Sequence, residues 1–200
     1  MHEEMTYSIA EHSHRLAAWA ASRSASIKSF PLEVADGRAI LEASGFDPEF
    51  NVDRLPAADD QSIDVAHAVW RKKVIAEAKK QGLGFTHGIA ARLINVYLKV
   101  RFVCGGFEAD ERVERLHPPV DRELLKGLGQ KNVGGLKKDW NALEAKGWAA
   151  FDSAAYEGAI QKIRRSLEGR PLWEIEEFWP GHQTAATVEK GAPAKNKSKK

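Results

Sequence analysis

Between Thr86 and Cys104 apolar side chains recur every three or four residues, at Ile89, Leu93, Val96, Tyr97, Val100 and Cys104. That spacing lays them along one side of a helix and cannot line one face of a strand, whose side chains repeat every second residue. The same helical period runs through most of the chain, and no segment alternates as a strand would. The expected fold is therefore all-α, a compact helical bundle. Seven helical elements are expected. The first covers about 6–24, with Ile9, Leu16, Ala17, Trp19 and Ala20 as its apolar side; the second covers 31–44, from Pro31 to the stop at Gly45. A third spans 62–81 through Val65, Val69, Trp70, Val74 and Ala78, ending at Gly82 and Gly84. The fourth is the helix over 88–104, with Cys104 in the core. A short helix over 122–128 follows Pro118-Pro119, then a long one over 153–168 with Ala155, Ala159, Ile163 and Leu167 inward, and a short aromatic element over 171–179.

With 43% hydrophobic residues in 200, the chain can bury one sizeable core, so 1–180 reads as a single helical domain. Residues 189–200 hold five lysines against Glu189, and 181–200 read as a disordered basic tail, which either solubilises the chain or adds salt-sensitive attraction to nucleic acid. Since the whole chain is +2, the remainder is −2. Against that acidic background, the span 71–104 carries eight Lys or Arg residues and one acid, Glu77, which points to a local anion-facing surface. No apolar run is long enough to cross a membrane and the first residues do not read as a signal peptide, so a cytoplasmic location without membrane contact is expected. The single cysteine excludes an internal disulfide and Cys-rich metal sites, and His67 and His87 lack companions at ligand spacing. No metal and no cofactor are expected.

Arg92 and Lys99 are seven residues apart and so share one side of their helix, flanking its apolar face with Asn95 just beyond. Such a basic ridge can line a cleft. It is followed by His117-Pro118-Pro119-Val120-Asp121, in which Asp121 opens the next helix.

The segment Phe85-Thr86-His87-Gly88-Ile89-Ala90-Ala91-Arg92-Leu93-Ile94-Asn95-Val96-Tyr97-Leu98-Lys99, together with His117-Pro118-Pro119-Val120-Asp121, resembles a bacterial family with the 8-oxoguanine DNA glycosylase (OGG) fold, within the helix-hairpin-helix DNA glycosylase superfamily. The likeness extends over about 60–180, with its specific part in about 40 residues. It implies a helix-hairpin-helix glycosylase fold, DNA as partner, and recognition of a guanine, oxidised or otherwise modified, turned out of the helix into a pocket. In such proteins a lysine attacks the sugar C1′ and an aspartate assists. The resemblance places Asp121 at the aspartate and Lys99 at a second lysine, which makes these two the catalytic candidates. Arg92 stands where the nucleophilic lysine would be. A guanidinium stays protonated and cannot form a Schiff base, so three routes stay open: hydrolysis by water that Asp121 activates, substitution by Lys99, or binding without cleavage. Arg92, Asn95, His117, Trp173 and Trp179 are the candidates for contacting nucleic acid or base.

Each residue also has an ordinary reading: Asp121 as a helix cap, Arg92 and Lys99 as solvated flanks, His117 as a turn residue, the tryptophans as core. Gly82-Leu83-Gly84 and Gly127-Leu128-Gly129 offer competing hairpin registers, the second interrupted by Gly134-Gly135. A catalytically inactive module for a modified base, a nucleotide or a protein partner is the alternative function. A structural subunit of a larger assembly is a third reading. The family association adds bacterial antiviral defence, beside DNA repair, as a context.

Overall fold

The computed structural model describes residues 7–28 and 31–181, and every regular element among them is helical. The α-helices in chain order are α1 (Ile9–Ala25), α2 (Val34–Ala43), α3 (Asp60–Lys80), α4 (His87–Leu98), α5 (Glu111–Glu114), α6 (Arg122–Gln130), α7 (Lys137–Lys146) and α8 (Ser153–Leu167), with shorter helical turns between some of them and a 3-10 segment, Leu172–Phe178, behind them. None of these is long and apolar enough to cross a membrane. The basic tail expected over 181–200 lies, from residue 182 onward, outside the described residues.

Six of these α-helices begin at side-chain caps, α5 at Asp110, which accepts the Arg112 N–H, and five others likewise. Ser8, Asp59, Thr86, Asp121 and Asp152 each accept a backbone N–H of the first turn, which satisfies donors that helical geometry leaves open. The inward faces differ from the expected ones in two helices. Ile9, Leu16 and Trp19 of α1 point outward, more than half exposed, and the buried side is Ala17, Ala18, Ala21 and Ala25. The physical reason is proximity: α1 packs mainly on α4, and a flat alanine face lets two helices approach closely. In α3, Val65 and Val69 are likewise exposed, whereas Ile63, His67, Arg71, Val74 and Ala78 are buried. Two polar side chains hold that inward stripe because they join a buried hydrogen-bond network.

The helix expected over 88–104 changes character at Lys99. From Lys99 to Phe107 it continues as a π-helix, closed by Gly106 in the left-handed region at φ 88°. The wider turns rotate Cys104 off the apolar side, so the cysteine expected in the core is exposed, while Arg101 and Phe102 are buried. Helix α7 was not visible in the periodicity. Asn132 (φ 50°), Gly134 (φ 61°) and Gly135 (φ 72°) reverse the chain after α6, and α7 then packs back along it with Trp140 fully buried. The glycine pair that interrupts one helix is thus the turn between two.

The apolar interior forms two clusters. One gathers α1 to α5; the other gathers α6 to α8 and the 3-10 segment. Helix α4 is the partition, with Ala90 facing the first cluster and Ala91 the second. Close approach on the second side requires glycine at position 88, since a Cβ there would lie 1.8 Å from the Trp148 carbonyl oxygen.

Candidate functional site

The seam between the two clusters opens into a cleft of about 220 Å³. Helix α4 and its π-helical continuation contribute Arg92, Val96, Lys99 and Val100; the turn into α6 contributes Pro119 and Asp121; the C-terminal segment contributes Glu176 and Trp179. Arg92 donates from Nε to Ser24 Oγ of α1 (2.7 Å) and from Nη2 to Asp121 Oδ2 (3.0 Å). The two side chains of this ion pair are 13% and 15% exposed, so the charges meet in a partly desolvated place where their attraction is strong. Burial lowers the Arg92 pKa from its ordinary value, opposed by Asp121 and Glu176. Asp121 accepts three hydrogen bonds: the Leu124 N–H on Oδ1 (2.8 Å) as cap of α6, and Arg92 and the Trp179 indole N–H (3.1 Å) on Oδ2.

On the other side Lys99 donates to Glu176, forming a second ion pair across the cleft. Burial raises the Glu176 pKa from its ordinary value, and Lys99 opposes the shift. Two cations thus face two carboxylates, and the wall between is apolar, made by Val96, Val100, Pro119 and the Trp179 ring. The cleft is close to neutral. A ligand inside it exchanges hydrogen bonds with charged groups without adding a net charge to a half-buried space.

Arg92, Lys99, Asp121 and Trp179 therefore come together. Trp173 lies one cavity away, with Lys99, His117, Pro118 and Glu176. Asn95 and His117 are set apart from the cleft, buried in a polar network between α3, α4 and α8. His117 Nε2 contacts Asp64 Oδ1 (2.8 Å), and its Nδ1 lies 3.0 Å from the Tyr156 hydroxyl. Asn95 donates to that hydroxyl and to the Pro118 carbonyl, both at 2.9 Å, and its oxygen meets His67 Nε2 at 2.7 Å. Arg164 grips both oxygens of Asp64 (2.7 and 2.8 Å), holding its carboxyl far below the usual range together with His117 against the cost of burial. Among the described residues no three His, Cys, Asp or Glu side chains gather to hold a metal ion.

Sequence reasoning missed Glu176 and the α3–α8 network. Glu176 had a signal: Trp173, Glu176 and Trp179 are three apart, and in a 3-10 helix residues three apart eclipse one another along a single edge. Tyr156, Asp64 and Arg71 had none, because they meet His117 and Asn95 only through tertiary packing. No protein-family model, no curated protein and no solved structure matches this chain.

Proposed function

We propose that the cleft receives a guanine base, oxidised or otherwise modified, turned out of DNA, and that Asp121 assists its removal by hydrolysis without a lyase step. The observation that carries this reading is the Arg92–Asp121 contact beside Trp179: a carboxylate held next to a fixed cation, against an aromatic face on which a planar base stacks. Removal of a base develops positive charge on the sugar, which Asp121 would stabilise or relieve by activating water. Arg92 supplies no neutral amine, and Lys99 is engaged by Glu176 across the cleft, so neither is poised for a Schiff base. The cleft volume, below the roughly 300–1,000 Å³ of sites for drug-sized ligands, suits one base. The reversal between α6 and α7 supports DNA as the carrier: exposed Lys126, Lys131, Lys137 and Lys138 surround a turn rich in positive-φ backbone, a surface suited to phosphates.

Incubation with single-stranded and duplex DNA containing 8-oxoguanine tests the reading. Free base is expected from the wild type, with release slowed about 10²–10⁴-fold in Asp121→Asn, the span typical of a lost acid–base group. No release by either the wild type or Arg92→Lys would exclude an enzyme. One observation favours a second reading, a non-catalytic reader of the same base: three protein donors already engage the Asp121 carboxylate, one as the cap of α6, which is a structural use of the side chain. A reader binds the modified DNA with an affinity that Asp121→Asn leaves unchanged.

A further inference from the structure

Five buried side chains between α3, α4 and α8 and the carboxylate that ends them form a hydrogen-bonded chain whose direction follows from its two ends. Asp64 accepts only, so His117 Nε2 carries the proton and Nδ1 accepts from the Tyr156 hydroxyl. That hydroxyl accepts from the Asn95 amide, whose oxygen accepts from His67 Nε2. His67 Nδ1 is then the acceptor for Arg71 Nη1 at 3.3 Å. Each link of the run Arg71, His67, Asn95, Tyr156, His117, Asp64 then pairs one donor with one acceptor, which requires both histidines neutral; outside the run Arg71 Nη2 donates to Ser153 and Glu157, and Arg164 donates to Asp64. The run is 0–4% exposed apart from Asp64, so water cannot repair a break.

The second hydrogen of the Asn95 amide goes to the Pro118 carbonyl, so the chain grips the segment that begins at His117 and ends at Asp121. We propose that this run positions Asp121 against Arg92, and that acid undoes it: a proton on His67 Nδ1 sets donor against the Arg71 donor, and the segment 117–121 loses its hold on α4. Tyr156, Asn95, His67 and His117 are positioning residues in this account; none touches the cleft.

The charged surroundings make His67 the site where the order fails. It faces Arg71, which Glu157 of α8 pairs at 2.7 Å, and, at 4.4 Å between ring centroids, His117; Asp64 acts on it as the nearest opposing charge, and Trp70, Asn95 and Tyr156 are its uncharged neighbours. His117 faces Asp64, Arg164 and Arg71, with Lys99 and Glu176 across the small cavity under Pro118. A second proton on His117 would meet the Tyr156 O–H, but the contact with Asp64 offsets it as an ion pair, whereas His67 has no carboxylate in contact. Burial and the neighbouring cations depress both histidines, His67 further, which keeps both neutral near pH 7.

The inference rests on the Arg92–Asp121 cleft being the working site, but its test uses no DNA, so its failure and that of base removal are separable. Amide hydrogen exchange of the full chain, corrected for intrinsic chemistry, is followed from pH 7.5 downward. Opening of the segment 117–124, relative to α2, is expected to rise as pH falls below about 6.5, the ordinary histidine value regained on opening, by about tenfold per pH unit for each histidine that opening frees to take up a proton, and to level off below the folded values. His67→Gln keeps a donor for Asn95 and removes the His67 share of the proton uptake, so it is expected to make that rise shallower, leaving only the share of His117. An unchanged slope in His67→Gln, or a rise that α2 shares, overturns the proposal. If His67→Gln does not fold, Tyr156→Phe breaks the run at its centre with both histidines in place. Faster opening of 117–124 already at pH 7.5 is then expected, and no change overturns the proposal.

Discussion

The Arg92 guanidinium lies 3.0 Å from the Asp121 carboxylate, across the seam between the two apolar clusters. Helix α4 presents the arginine, the cap of α6 presents the aspartate, and Ser24 of α1 braces the pair from behind. The contact therefore couples the site to the packing of three helices.

Removing one partner of this pair leaves the other half-desolvated and uncompensated. Arg92→Ala is expected to lower the unfolding free energy by about 3–5 kcal/mol in urea titrations, the range for breaking a buried pair. Arg92→Lys keeps the charge and is expected to cost less. Equal losses in the two variants would mean that the charge contributes nothing.

The buried histidines give the fold an acid-side weakness. His14, His67 and His117 all have pKa values lowered from 6.5, chiefly by burial. A depressed histidine binds its proton more weakly folded than unfolded, so its contribution is complete above about pH 6.5 and is lost as pH falls from there through the folded value. Urea midpoints are expected to fall between pH 7.5 and 5.5, earlier than carboxylate titration alone would produce. A flat profile across that window would contradict the burial of these rings.

Glycine positions separate packing from propensity. A Cβ on Gly127 would lie 2.0 Å from the Phe178 carbonyl oxygen, so Gly127→Ala pushes away the segment that carries Glu176 and Trp179. A loss of about 1–3 kcal/mol is expected, as in other overpacked sites. Gly158, inside α8, meets only the Lys162 ammonium at 4.0 Å, and Gly158→Ala is expected to stabilise by about 0.5–1 kcal/mol. Thermal denaturation of the two variants checks both signs.

The fold class and most helix starts were legible because caps and the 3.6-residue period are local. The orientation of α1 was not, since Ile9, Leu16 and Trp19 form as good an apolar stripe as the alanines that α4 selects. Helix α7 was hidden by Gly134 and Gly135, which read as breakers until α6 and α7 are seen to pair. At the site, the sequence order of Arg92, Lys99 and Asp121 was enough to bring them together through one helix face and one cap. Asn95 shares that helix yet turns into the network, because its partners Tyr156 and His67 are 61 and 28 residues away. Only tertiary packing joins them.

The reaction proposed for the Arg92–Asp121 cleft is removal of a base from DNA by hydrolysis. Mass analysis of one single-turnover reaction on duplex DNA containing 8-oxoguanine tests it most directly. The predicted products are the free base and an intact strand with an abasic site, both lost in Asp121→Asn. Unchanged DNA, or a strand cleaved by elimination or joined to the protein through Lys99, would rule that reaction out.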